Sequence, residues 1–162
     1  MKLLVALALL WSIAQLPPKE GEIKSTKDPK ADFSAFTTYS WVQGQPAADR
    51  VAHNAVTSGI EAELAARGLQ KIDKGQGSVT IRYFSVMRTD VDLETLDKME
   101  KAGKPPVTKN LGRLVIVMRD RAEKRVWAAD TVQPVSADAT TRAEDIRRLV
   151  TRMFETYPRR TK

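Results

Sequence analysis

The stretch that decides the fold is LGRLVIVMRDRAEKRVWAADTV, residues 111–132. Its apolar run, residues 114–118, has the length and the β-branched content of a strand buried on both faces, or nearly so. A short charged turn at residues 121–124 leads into a second strand pattern that contains the pair Val126-Trp127. Two strand patterns joined by such a turn predict a β-hairpin.

Further strands are predicted upstream of this hairpin. Residues 78–88 alternate between apolar and polar side chains, which predicts a long strand that continues toward residue 91. Residues 33–42 are dense in aromatic and β-branched side chains and predict the first strand, and residues 69–72 predict a short second one. The sequence therefore predicts a mainly antiparallel sheet of about five strands.

Two helices flank this sheet in the sequence. The first is predicted over residues 49–67, where Asp49 can cap the start and Gly68 follows the end. Its buried stripe is predicted to be Ala52, Val56, Ile60 and Leu64. The second begins near Thr141, which forms a capping box with Glu144. The order of elements predicts an α+β fold, a two-layer sandwich with both helices packed on one face of the sheet.

The first fourteen residues, MKLLVALALLWSIA, have the pattern of an export signal. Lys2 precedes the apolar run at residues 3–10, and Ser12 and Ala14 are the small residues of a cleavage site. A membrane-spanning helix needs about 20 apolar residues, and this stretch is shorter. We predict a signal peptide at residues 1–14 and a periplasmic or secreted protein, with an uncleaved N-terminal anchor as the alternative.

The remainder divides into a linker and one domain. Residues 15–30 are polar and interrupted by prolines, which predicts a flexible tether, and residues 31–160 are predicted to form a single α+β domain. Residues 92–110 contain several lysines, a glycine and a Pro-Pro pair. They predict a mobile excursion between two strands, and their first part, residues 93–101, can form a helical turn or two.

Composition excludes several classes of site. The 162 residues include no cysteine, so disulfides, thiolate metal sites, cysteine nucleophiles and a lipid anchor on an N-terminal cysteine are excluded. The net charge is +7, or +6 once Lys2 leaves with the signal. The basic residues are not interleaved with aromatic ones, so we predict no nucleic-acid binding. Peripheral association with an anionic membrane is compatible with this charge.

No motif predicts catalysis. His53 is the only histidine, is expected to be exposed, and cannot supply a zinc site alone. A G-x-S-x-G elbow is absent, and the glycines at 75 and 77 precede a strand rather than a helix, which excludes a phosphate loop. Four acidic residues could bind calcium or magnesium, but their spacing is not that of an EF-hand; they are Asp90, Asp92, Glu94 and Asp97. We predict that the protein is not an enzyme and has no catalytic residues, no cofactor or cofactor-binding residues and no metal ligands.

The block DPKADFSAFTTYSW, residues 28–41, concentrates aromatic side chains. Asp32 is predicted to accept backbone N–H groups at a turn. The aromatic residues predicted to pack in the core, rather than to form a ligand-binding surface, are Phe33, Phe36, Tyr39, Trp41 and, in the hairpin, Trp127.

This block resembles the opening signature of a bacterial family, domain of unknown function 4136, which reads D-x-x-A-D-F-[ST]-x-[YF]-x-T-[YF]-x-W. Matching pieces follow in the family's order at residues 112–117, 124–127 and 153–158, so that the resemblance covers about residues 28–160. It implies an envelope protein of the lipoprotein type with no established activity. The chain departs from that pattern because it lacks the cysteine that carries the lipid.

We expect an exported bacterial envelope protein that is a non-enzymatic binding or structural module and a monomer. Its partner would be a protein, lipid or glycan bound through the open face of the sheet or through residues 92–110. One alternative is an enzyme whose site is not recognisable in sequence, for which a deep polar pocket with converging carboxylates would argue. The other is a basic domain that docks on anionic membrane.

Overall fold

The computed structural model describes residues 18–158. Within that range six strands form one sheet in the order β1–β6–β5–β4–β2–β3. The strands are β1 Ile23–Lys27, β2 Thr38–Trp41, β3 Gln70–Lys71, β4 Val79–Val91, β5 Thr108–Asp120 and β6 Arg125–Pro134. The helices are α1 Arg50–Ala66, α2 Leu93–Lys101 and α3 Ala139–Phe154, and a short 3-10 helix, Phe33–Ala35, precedes β2. The predicted α+β class is confirmed.

The predicted hairpin is formed by β5 and β6, which are neighbouring inner strands of the sheet. Met118 of β5 lies opposite Trp127 of β6, and β4 pairs with β5 over its whole length. Ile81, Ile116 and Trp127 point to the same face and are completely buried. Helices α1 and α3 contact each other over this face, so the core lies between them and the three central strands.

The sheet differs from the prediction in strand number and direction. It has six strands instead of about five, and α2 is a third helix. β2 runs parallel to both β3 and β4, which makes the sheet mixed. Residues 33–42 do not form one strand, because the 3-10 helix occupies their first part and only Thr38–Trp41 pairs with neighbours.

The flexible tether predicted for residues 15–30 is wrong for Ile23–Lys27. These residues form β1, which pairs antiparallel with β6 at the edge of the sheet. The prediction failed because a strand at an edge needs little apolar surface, and four of its five residues are exposed. The signal predicted for residues 1–14 lies outside the described residues. Between residues 18 and 158, no helix is long and apolar enough to cross a membrane.

The helix predictions differ in accuracy. Asp49 caps α1 as predicted, and Gly68 follows it with φ +78°, the left-handed conformation that glycine favours. All four residues of the predicted stripe in α1 are buried. α3 begins earlier than predicted, because Asp138 rather than Thr141 is the cap. The Asp138 carboxylate accepts the Thr141 backbone N–H at 2.7 Å.

Candidate binding groove

A groove with a volume of about 700 Å³ opens between α3 and one end of the sheet. Such a volume is typical of small-ligand sites. The strands supply its floor from residues on the helical face of the sheet, namely Ser85, Met87, Gly112, Leu114 and Gln133. The groove exists because β4 and β5 extend beyond the core, so that Met87 is 56% exposed whereas Ile81 is fully buried.

One face of α3 forms the opposite wall. Arg142, Ile146, Leu149 and Arg152 follow at spacings of three or four residues and therefore lie on the same side of the helix. Ile146 and Leu149 are half-buried against the core, whereas Arg152 is exposed. The segment 45–49 and the start of α1 close one end. The groove therefore combines an apolar interior with cationic edges.

Arg142 fixes the closed end of the groove. Its Nε donates to Oδ2 of Asp49 at 2.8 Å, and Nη1 donates to the carbonyl oxygens of Ser136 and Ala137 at 2.9 and 3.0 Å. Asp49 in turn accepts the backbone N–H groups of the first turn of α1. One arginine thus connects the starts of both helices to the loop after β6.

The Asp49 carboxyl is held in its charged form. Desolvation acts to raise its pKa, but the hydrogen bonds from Val51 and Ala52 and the charge of Arg142 outweigh it and lower the pKa below the ordinary 3.8. A lowered folded-state pKa means that the carboxylate stabilises the fold above pH 3.8, and that this contribution is lost as the pH falls further.

We predict that Asp49→Asn is less sensitive to acid than the wild-type protein. Asparagine caps helices as well as aspartate does, so most of the loss at pH 6 comes from the ion pair with Arg142. The stability difference between the two proteins should shrink from pH 6 to pH 3, as measured by urea unfolding. A difference that stays constant between these pH values would show that the Asp49 charge does not contribute.

The other arginines of the groove differ in how they are paired. Arg113 forms two hydrogen bonds with Asp130, at 3.0 and 2.6 Å, and Arg148 contacts Asp145 at 2.5 Å. Arg152 is exposed, and no carboxylate between residues 18 and 158 lies within ion-pair distance of it. It is the arginine of this wall that is available to an acidic ligand.

His53 is half-buried rather than exposed as expected. Its Nδ1 lies 2.5 Å from the Tyr83 hydroxyl oxygen, which also accepts the backbone N–H of Ala47 at 3.2 Å. Burial raises the pKa of Tyr83, so its hydroxyl stays protonated at neutral pH. These contacts hold the segment that closes the groove, and they give the histidine a structural role.

The acidic residues considered for metal binding lie outside the groove. Asp92 caps α2 by accepting the Glu94 N–H at 3.1 Å, and Asp90 pairs with Arg88. In the described part of the chain, no three histidine or acidic side chains converge as metal ligands. The absence of metal, cofactor and catalytic residues stays a prediction.

The aromatic predictions are largely confirmed. Tyr39 and Trp127 are core residues with 3% and 0% exposure, and Asp32 accepts the Ser34 backbone N–H at 3.0 Å. Phe33, Phe36 and Trp41 pack half-buried against that core. The groove itself was not predicted, because its lining comes from several separate segments and no motif connects them.

The family model of a domain of unknown function, DUF4136, matches residues 23–159. The chain belongs to this family. The match begins at β1, which agrees with the place of that strand in the sheet. No curated protein is significantly similar to the chain.

Solved structures share the fold at low sequence identity. A PDZ domain protein from Parabacteroides distasonis has a TM-score of 0.61 and 18% identity over 86% of this chain, which spans only 36% of that protein's chain. PelC from Paraburkholderia phytofirmans, solved as a dodecamer in two crystal forms, has TM-scores of 0.56 and 0.55. The identities are 11% and 10%, over 86% of this chain and 98% and 99% of PelC. At these identities the similarity establishes the fold alone.

Proposed function

We propose that this DUF4136 domain is a non-enzymatic binding module of the bacterial envelope, and that the groove is its binding site. The observation that carries the proposal is the combination of a mostly apolar lining with the exposed guanidinium of Arg152, which has no carboxylate partner among residues 18–158. Such a site suits an amphipathic ligand with an acidic group. The envelope location is supported by the export pattern in residues 1–14 and by the family resemblance.

The chemistry of the lining favours binding over catalysis. Its two carboxylates, Asp49 and Asp145, are each paired with an arginine. A general base works best with a pKa near the operating pH, and the pKa of Asp49 is shifted in the opposite direction. The deep polar pocket with converging carboxylates that would argue for an enzyme is not what the groove presents.

We expect the fluorescent probe 8-anilinonaphthalene-1-sulfonate, an anion with apolar rings, to bind in the groove with saturable fluorescence enhancement. Arg152→Glu should weaken this binding roughly three- to tenfold, since it replaces an attraction between exposed charges with a repulsion. Arg147→Glu is the matched control, because Arg147 is exposed on the same helix but does not line the groove.

The two variants make the test specific for the groove. Weaker binding in Arg152→Glu with unchanged binding in Arg147→Glu supports the proposal. Equal weakening in both variants would show a general effect of surface charge, and absence of saturable binding to dilute, monomeric protein would show that no site exists. Either of these results overturns the proposed function.

A further inference from the structure

The exposed apolar surface of the described residues is concentrated on one projection. Residues 86–110, here called the arm, comprise the outer ends of β4 and β5 and the helix α2 between them. Between residues 18 and 158 six large apolar side chains are exposed, and five of them belong to the arm. These five are Val86, Met87, Val91, Leu93 and Val107. Such a concentration marks an interaction site more often than a solvated surface.

Helix α2 has the pattern of a helix that packs into a groove. Leu93, Leu96 and Met99 recur every third residue and form one apolar stripe, and no residue of α2 is fully buried. Leu96 and Met99 are half-buried, whereas Leu93 is 75% exposed. Amphipathic helices with such incompletely buried stripes bind by inserting the apolar side chains into a partner's groove.

The charges of the arm complement those of the groove. Acidic residues surround the start of α2, at Asp92, Glu94 and Asp97, whereas its end carries lysines. Arg152 and Leu149, one turn apart on α3, both line the groove together with Leu114 of the floor, and no carboxylate of the described residues pairs with Arg152. The acidic start of α2 could therefore meet Arg152 at the rim, while the neighbouring Leu93 meets the apolar side chains of the groove.

Helix α2 does not fill the groove of its own chain. The arm begins at Val86 and Met87, which line the groove, and it extends away from there. No residue of α2 lines the groove of the same chain. A helix α2 that fills a groove therefore comes from another molecule.

We propose that the occupant of the groove is helix α2 of a second copy of this chain. The inference rests on the proposed function, because it names the partner of that same site. Leu93 and Leu96 enter over the floor, and Glu94 approaches Arg152. The contact joins two different surfaces, so it either closes by reciprocal exchange between two copies, closes as a larger ring or continues as an open filament.

Sedimentation velocity of the purified protein over a concentration series tests this proposal. We expect species heavier than the 18.1 kDa chain that grow with concentration. Leu93→Glu should raise the dissociation constant for self-association at least tenfold, and circular dichroism should show that it folds. Lys104→Glu is the control, because it also adds negative charge to an exposed position of the arm but lies outside α2.

A charge exchange then identifies the pairing. Glu94→Arg and Arg152→Glu should each weaken association, and the double variant should restore it at least in part. Leu93→Glu should bind the fluorescent probe at least as tightly as the wild-type protein does, since its groove is no longer filled by a neighbour. Association that survives Leu93→Glu, or a double variant no better than the singles, overturns the proposal.

The two proposals fail in different ways. A monomer at all concentrations, as the sequence alone predicts, overturns the inference, and saturable probe binding that depends on Arg152 would leave the proposed function intact. A monomer that carries copurified anionic lipid in native mass spectrometry likewise overturns the second copy as occupant. Absence of saturable probe binding in Leu93→Glu, whose groove no neighbour fills, removes the groove as a site and with it both proposals.

Discussion

Replacing Trp127 with alanine is expected to lower the free energy of unfolding by about 3–5 kcal/mol, because the indole of this β6 residue is completely buried. Such a loss is a large part of the 5–15 kcal/mol that typically stabilises a domain. The Trp127 ring lies 4.9 Å from the ring of Phe154 and 5.6 Å from that of Tyr157, centroid to centroid. Its removal therefore leaves a cavity between β6 and the end of α3.

The cavity would also loosen contacts beyond this pair. Tyr157 lies 5.3 Å edge-to-face from Phe33, which belongs to the segment before β2, and the Arg67 guanidinium lies 5.3 Å from the Phe154 ring. Trp127 thus supports a cluster that joins three distant parts of the chain. The Trp127 indole N–H also donates to the hydroxyl oxygen of Thr156 at 3.4 Å.

Urea unfolding of Trp127→Ala measures this loss, with Val51→Ala as the control. Val51 is 37% exposed in the first turn of α1, outside both the groove lining and the arm, so its truncation should change stability by no more than about 0.5 kcal/mol. A loss below about 1.5 kcal/mol for Trp127→Ala would contradict the assigned role of this aromatic cluster. The difference between the two variants therefore tests whether the stability loss follows the burial of the replaced side chain.

Features encoded by neighbouring residues could be predicted from the sequence. Helix α1 follows from its cap at Asp49, its four-residue apolar spacing and the glycine at 68, all of which act within the helix itself. The hairpin of β5 and β6 likewise follows from a local turn between two apolar strands. These elements are confirmed because their signals do not depend on distant partners.

Features that depend on distant partners were missed or misplaced. β1 is a polar edge strand whose pairing with β6 determines its structure, and the parallel direction of β2 depends on the crossover through α1. The α3 start shifted because Asp138 competes with Thr141 for the same capping role. The groove needs β4, β5, β6 and α3 together, so no single segment of sequence indicates it.

Gly44→Ala is expected to be the most damaging of the glycine substitutions near the groove. A Cβ at residue 44 would lie 2.1 Å from the carbonyl oxygen of Tyr83, which accepts the Gln45 N–H at 3.0 Å. The Ser85 N–H also donates to the Gln45 carbonyl at 2.9 Å, so this segment is paired to β4. Because the obstructing atom belongs to the backbone, the two segments must separate. We expect a loss of about 3 kcal/mol, the upper end for overpacking.

Separation of these segments should also impair the groove. Residues 45–49 follow directly and close its end, so Gly44→Ala should weaken binding of the fluorescent probe while the protein is still folded.

Gly59→Ala is the matched control, because the same methyl group there would lie 3.4 Å from Val150, an ordinary contact between α1 and α3. Alanine is favoured over glycine within a helix by about 1 kcal/mol, so this variant should be as stable as the wild-type protein or slightly more stable. If Gly44→Ala lowers the free energy of unfolding and Gly59→Ala does not, the loss comes from the contact of residue 44 with β4. Equal losses in the two variants would contradict that explanation.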